Sequence, residues 1–221
     1  MLHRTRIKIC GLTRAEDVQA VVAYGADAMG FVFYPQSPRY VTPQQAGALL
    51  AHVPPFITTT GLFVNANIDD VVNTLAAAPV ALLQFHGDET AEQCHQLASA
   101  ANRPFIRAFR VKADTSATDL LECEKIYRAA SPYFSGLLLD TFVESFGGSG
   151  KVFDWSLIPK ELAPRAVLSG GLSVQNATDA VSRVRPFAVD ISSGVELSKG
   201  IKDNAKLRAF IQAVRLADSQ G

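Results

Sequence analysis

Two side chains suited to proton transfer stand at the ends of short apolar runs. Cys10 closes Arg6-Ile7-Lys8-Ile9-Cys10, just before Gly11, and Asp140 closes Gly136-Leu137-Leu138-Leu139. A thiolate can take a proton and a carboxylic acid can give one. A cysteine in a strand is more often a small buried apolar residue than a reagent. An acid at a strand end can simply cap the next loop. Position strengthens both candidates, because the C-terminal ends of parallel strands are where an α/β barrel does its chemistry. Asp140 is the stronger of the two, since an acid ending Leu-Leu-Leu is there to be paired or to work.

Two glycine-serine segments could hold an anion: Ser169-Gly170-Gly171-Leu172 and Ile191-Ser192-Ser193-Gly194. Glycine lets backbone N–H groups approach a phosphate, and serine adds hydroxyl donors. Either segment alone reads as an ordinary turn. Paired on the last two strand ends of a barrel they predict a phosphate site at Gly170, Gly171, Ser192, Ser193 and Gly194, with Gly194 to about Lys199 as a short extra helix. Gly147-Gly148-Ser149-Gly150-Lys151 only mimics a P-loop. Ser145 stands in place of its first glycine, and Val152 in place of the magnesium-binding Ser/Thr. Placed after Asp140, the 141–153 stretch reads as a lid.

Further residues surround these. Lys8 shares a strand face with Cys10, and a buried ammonium needs a partner. Barrel closure would bring the first and eighth strands together, so Asp190 is the predicted partner. Arg39, in Ser37-Pro38-Arg39-Tyr40, could hold a substrate carboxylate bidentately. Gln84 and His86 bracket the end of the fourth strand, where a histidine can orient a loop or catalyse. Arg39, Gln84, His86 and Asp190 are the candidate substrate-binding residues. No His/Cys/Asp/Glu set has metal-ligand spacing.

The elements that must carry these residues alternate along the whole chain. Strands are expected at Arg6 to Cys10, Asp27 to Phe33, Phe56 to Val64, Ala81 to Phe85, Pro104 to Phe109, Ser135 to Asp140, Arg165 to Ser169 and Phe187 to Ile191. Helices are expected after Thr13 as a cap, from Pro43 with Thr42 as cap, from Asn67, over Asp88 to Ala101, over Ser116 to Ala130, over Ser173 to Val184 and over Ala205 to Leu216, with frayed final residues. Pro159 and Pro164 leave the sixth helix short. Eight βα units without a linker predict a single (β/α)8 barrel domain over residues 1–221. A doubly wound open sheet is the runner-up. It normally uses fewer strands, and no GxGxxG follows the first strand.

Composition fits one globular core. Of the 221 residues 48% are hydrophobic and 19% charged, and the formal net charge is zero. Nothing marks a nucleic-acid or anionic-membrane partner. Met1 to Arg6 lacks the apolar core of a signal peptide, and no apolar run is long enough for a bilayer. Three scattered cysteines without a CxxC suggest a reducing cytosol rather than a disulfide framework. A cytoplasmic monomer is the default expectation, because no exposed apolar stripe is readable.

The motifs together resemble the phosphoribosylanthranilate isomerase family. They are Lys8-Ile9-Cys10-Gly11-Leu12-Thr13, Gly30-Phe31-Val32-Phe33 with Ser37-Pro38-Arg39-Tyr40, Leu62-Phe63-Val64-Asn65 and Leu83-Gln84-Phe85-His86-Gly87-Asp88. Leu139-Asp140 with Gly147-Gly148-Ser149-Gly150, Leu168-Ser169-Gly170-Gly171-Leu172, Asp190-Ile191-Ser192-Ser193-Gly194-Val195-Glu196 and Gly200-Ile201-Lys202-Asp203 continue the series in order. Phe85 stands where leucine is usual and Val174 where proline is common. The resemblance implies a TIM barrel of the ribulose-phosphate-binding type. It also implies an Amadori rearrangement in tryptophan biosynthesis, from N-(5-phosphoribosyl)anthranilate to 1-(2-carboxyphenylamino)-1-deoxyribulose 5-phosphate.

By the same likeness Asp140 is the general acid, Cys10 the general base, and Arg39 the holder of the anthranilate carboxylate. The loops after strands seven and eight take the phosphate, and the chemistry needs neither metal nor redox cofactor. An ordinary thiol is only a few per cent thiolate at neutral pH. The site should therefore depress the pKa of Cys10, or activity should rise with pH. Asp140 must be protonated to donate, and desolvation under the lid could raise its pKa. An aldolase or indole-forming synthase on the same barrel, and a non-catalytic phosphate-binding module, are the competing readings. A Schiff-base aldolase would need a lysine where strand six ends in Asp140.

Overall fold

The computed structural model describes residues 4–141 and 152–220. Among them eight parallel strands close into a barrel in chain order: β1 (Arg6–Cys10), β2 (Ala28–Val32), β3 (Thr58–Phe63), β4 (Leu82–Phe85), β5 (Phe105–Val111), β6 (Phe134–Thr141), β7 (Val167–Leu168) and β8 (Ala188–Ile191). β1 pairs with both β2 and β8, which closes the ring. The open-sheet alternative is excluded. Around the barrel lie α1 (Ala15–Ala23), α2 (Pro43–Leu50), α3 (Ile68–Ala77), α4 (Ala91–Ala101), α5 (Ala117–Ala130), α6 (Ala177–Val184) and α7 (Asn204–Gln220).

Local chemistry explains most helix starts. Thr42, Asn67, Thr90 and Ser116 each form a reciprocal capping box with the residue three positions on. Four of the helices differ at a boundary from expectation, and among the strands β3 starts at Thr58, β5 runs on to Val111 and β7 is only Val167–Leu168. Thr13 does not cap α1, because its hydroxyl donates to Gly200 O at 2.5 Å and Arg14 takes the cap position without a side-chain bond. α4 begins at Ala91, three residues late, since Asp88 N donates to Asn65 Oδ1 and the preceding loop is held there. α6 begins at Ala177, because Ser173 N donates to Asn176 Oδ1 in a turn of its own. α7 stays helical to Gln220. Between β6 and β7 the described chain makes only 3-10 turns, at Trp155–Leu157 and Ala163–Arg165, as the prolines there favour.

Alternation along each strand sorts the residues into two shells. Ile7, Ile9, Met29, Phe31, Phe63, Leu83, Phe85, Leu137 and Leu139 pack outward beneath the helices. A small apolar cluster of Ile106, Ala108, Leu138, Val167 and Ala188 fills one side of the interior. The other side is polar. Lys8 and Asp190 are partners in the β1–β8 register, and Thr60 and Gln84 are fully buried. Neighbouring β2 offers Ala28 opposite Lys8 and Gly30 opposite Cys10. Small residues on one strand thus make space for larger reactive ones on the next.

The extra helix expected over Gly194 to Lys199 is not there. One 3-10 turn, Ser193–Val195, leads into a two-stranded antiparallel hairpin of β9 (Glu196–Ser198) and β10 (Ile201–Lys202). Gly200, at φ 81°, supplies the left-handed residue that the tight turn needs.

Candidate active site

Cys10 ends β1 and is buried. Its thiol and the Lys8 ammonium converge on Gly30, where an added Cβ would stand 2.8 Å from Cys10 Sγ and 3.2 Å from Lys8 Nζ. Lys8 Nζ donates to Asp190 Oδ1 at 2.9 Å, so the predicted ion pair is present and buried. Burial works against the charge on Lys8, but Asp190 and Cys10 together outweigh it and the lysine pKa moves up. Burial also pushes the Cys10 thiol up, and the neighbouring Lys8 only partly opposes it. Of the two expectations, a depressed thiol pKa or activity that rises with pH, the ligand-free site therefore favours the second. Desolvation exceeds the pull of an ammonium that Asp190 already neutralises.

Asp140 lies three strands away around the ring and is half-buried. Its Oδ1 accepts from Thr141 N at 2.9 Å. Its Oδ2 lies 3.0 Å from His86 Nε2, and His86 Nδ1 lies 3.0 Å from Gln84 Nε2. Gln84, His86 and Asp140 thus form one hydrogen-bonded chain. Gln84 Oε1 is buried without a partner among the described residues. The β4 exit that carries His86 is braced from outside. Glu89 accepts from Asn65 N and Gly87 N, while Arg107 donates to Phe85 O and Gly87 O. Neither Glu89 nor Arg107 stands out in the sequence. An arginine in a strand that faces the helices shows its role only when α5 brings Tyr127 onto it at 3.0 Å.

The two glycine loops touch. A Cβ on Gly194 would stand 2.0 Å from Leu172 O, so only glycine lets the β8 loop lie on the β7 loop. Gly170 and Gly171 have φ of 80° and 66°. Gly170 also backs onto the acid, where a Cβ would meet Thr141 N at 2.3 Å and Asp140 Oδ1 at 2.7 Å. Ser192 accepts from Lys202 Nζ through both its carbonyl, at 3.1 Å, and its hydroxyl, at 3.4 Å.

Arg39 is buried, and its stem crosses Gly11, whose added Cβ would lie 2.4 Å from Arg39 Cδ and 3.0 Å from Ser192 Oγ. Its Nε and Nη2 donate to the two oxygens of Glu196 at 2.7 and 2.8 Å. Lys202 Nζ shares Glu196 Oε1 at 2.9 Å. Glu196 and Lys202 sit within quoted motifs, but nothing local assigns them to Arg39, which lies more than 150 positions earlier. The expected lid, residues 142–151 with its Gly147 to Gly150 motif, lies outside the described residues. Among the described residues no helix is long and apolar enough to cross a membrane.

A family model described as N-(5'phosphoribosyl)anthranilate (PRA) isomerase matches residues 7–213. A relative from Herminiimonas arsenicoxydans, N-(5'-phosphoribosyl)anthranilate isomerase, is 67% identical over 219 residues, covering 99% of this chain and 96% of its own. The crystal structure of phosphoribosyl anthranilate isomerase from Thermotoga maritima superposes with a TM-score of 0.83 at 40% identity, covering 96% of this chain and 98% of its own. A crystal structure of such an isomerase in complex with reduced 1-(o-carboxyphenylamino)-1-deoxyribulose 5-phosphate superposes at 0.80 with 38% identity, over 96% and 98%. With a match that runs from the first strand to the last helix, the chain belongs to the N-(5'-phosphoribosyl)anthranilate isomerase family.

Proposed function

We propose that Asp140 and Cys10 carry the proton transfers by which this isomerase of tryptophan biosynthesis turns N-(5-phosphoribosyl)anthranilate into 1-(2-carboxyphenylamino)-1-deoxyribulose 5-phosphate. One observation carries the reading. A single barrel rim collects a thiol, a carboxyl group held by His86, and two glycine loops in backbone contact.

The steps follow from the chemistry of the glycosylamine. Asp140 gives its proton to the furanose ring oxygen, and the ring opens to a protonated Schiff base. That cation acidifies the neighbouring C2′–H. Cys10, as thiolate, takes this proton, and the resulting enol tautomerises to the ketone. No atom is gained or lost overall. The Gln84–His86 pair can serve both forms of Asp140. With the Gln84 amide donating to Nδ1, His86 donates from Nε2 to the carboxylate. With the amide reversed, Nδ1–H donates to Gln84 Oε1, and Nε2 accepts from the protonated acid.

Arg39 holds the anthranilate carboxylate, while Gly170, Gly171, Ser192, Ser193 and Gly194 take the phosphate. Asp190, bound to Lys8 through Oδ1, faces the sugar with its other oxygen. The solved complex of a family member with a reduced sugar phosphate of this type supports the ligand class. A cytosolic monomer is the working unit. In support, large exposed apolar side chains are spread along the chain, with Tyr40 and Phe56 in loops, Ile68 and Val72 on α3, Ile126 on α5 and Leu216 on α7.

The test is turnover of freshly made phosphoribosylanthranilate by the purified protein, followed as loss of substrate fluorescence. Consumption of substrate is expected. A folded protein that consumes none would overturn the reading and favour the synthase or binding-module alternatives.

A further inference from the structure

We propose that Glu196 is a positioning residue that aims Arg39 at the substrate carboxylate and links that contact, through Lys202, to the phosphate loop. The inference rests on the isomerase reading and adds to it a residue that never touches the reacting atoms.

Donor accounting separates the two cations that share Glu196. Lys202 has three N–H donors. They go to Glu196 Oε1, Ser192 O and Ser192 Oγ, and the side chain is fully buried. Lys202 is therefore spent within the protein and acts by shaping the Ser192 loop. Arg39 has five donors and commits only Nε and one hydrogen of Nη2, both to Glu196. The edge formed by Nη1 and the second Nη2 hydrogen stays available among the described residues. This edge is a two-pronged fork that fits a carboxylate. Glu196 thus takes the side of the guanidinium and turns its end toward a ligand.

The charges agree. One carboxylate between two buried cations leaves one positive charge for an anionic ligand. The pairing also holds Glu196 ionised. Burial pushes its carboxyl up, but Arg39 and Lys202 more than reverse this and its pKa lies below the usual range. Gly200 N, at 3.4 Å from Oε1, binds the hairpin turn to the same carboxylate. Gly11, just after Cys10, lies under the Arg39 stem. The hairpin found in place of a helix is what brings Glu196 and Lys202 to face Arg39 and Ser192.

The experiment titrates two ligands into wild type and variants. They are reduced 1-(2-carboxyphenylamino)-1-deoxyribulose 5-phosphate and its phenylamino counterpart lacking the carboxylate. Wild type should prefer the carboxylated ligand. Glu196→Gln should cut that preference by about tenfold or more, the scale of a lost charge-assisted contact, while binding of the plain ligand changes by less than about threefold. Lys202→Met should weaken both ligands, and inorganic phosphate, by equal factors. If Glu196→Gln does not fold because Lys202 is left unpaired, Glu196→Gln/Lys202→Met removes that buried charge and should show the same loss of preference. Equal weakening of both ligands by Glu196→Gln, or an unchanged preference, would overturn the proposal. Wild type that binds neither ligand would overturn the isomerase reading itself.

Discussion

As the proposed base, Cys10 starts from the unfavourable protonation state. Burial raises its thiol pKa, and Lys8 is already neutralised by Asp190. The thiolate is then scarce at neutral pH and grows as pH rises, so kcat/KM should climb above pH 7 through the alkaline limb. A pH–rate profile flat from pH 7 to 9 would show the thiolate is formed some other way. The Lys8–Asp190 pair can be tested alone. Lys8→Met leaves a buried carboxylate unpaired and should cost about 3–5 kcal/mol in urea unfolding. A loss below about 1 kcal/mol would mean water reaches Asp190. This pair was legible in the sequence, because strand alternation put Lys8 on the Cys10 face and barrel closure named its neighbour. Glu196 was not legible. Its partners are a loop arginine far upstream and a lysine on the second strand of a hairpin whose first strand falls in the stretch expected as a helix, Gly194 to about Lys199.

The elements differ in how local their cause is. Four helices begin at capping boxes that can be read three residues at a time. Asn67→Ala should therefore cost about 1 kcal/mol of stability and leave kcat unchanged, as unfolding and steady-state assays would show. Thr13 looked like another such cap, but the Gly200 carbonyl claims its hydroxyl. No local pattern reports a partner that distant. The β7 loop changes an expectation about function. From sequence, a bulky residue at Gly170 should raise KM by blocking the phosphate. The structure also puts that position against Thr141 N and Asp140 Oδ1. Gly170→Ala should thus lower kcat as well as raise KM. A rise in KM alone would mean that the acid tolerates the displacement.

At the scale of the whole barrel, the alternating pattern determines the ring and its filling. Eight strands account for closure, seven of them followed by an α-helix among the described residues, and small residues on β2 make space for Lys8 and Cys10. Outside the site, Cys94 and Cys123 contribute a global pH dependence. Burial pushes their thiols up to about 12 and about 11. Unfolding returns them toward the ordinary thiol value near 8.5. Between these limits the folded protein holds protons that the unfolded chain releases, so stability falls as pH rises. Urea midpoints should drop from about pH 9 upward, starting near that unfolded thiol value, and Cys94→Ala should flatten the decline.

The central claim is that one barrel rim pairs a general acid with a general base across its mouth. Single-turnover kinetics with phosphoribosylanthranilate, comparing wild type with Cys10→Ala and Asp140→Asn, test it most directly. Substrate loss should be abolished in both variants, while affinity for the reduced product stays within about tenfold of wild type, since each residue acts on a proton rather than on binding. Near-normal substrate loss in either variant would contradict the assignment of that residue.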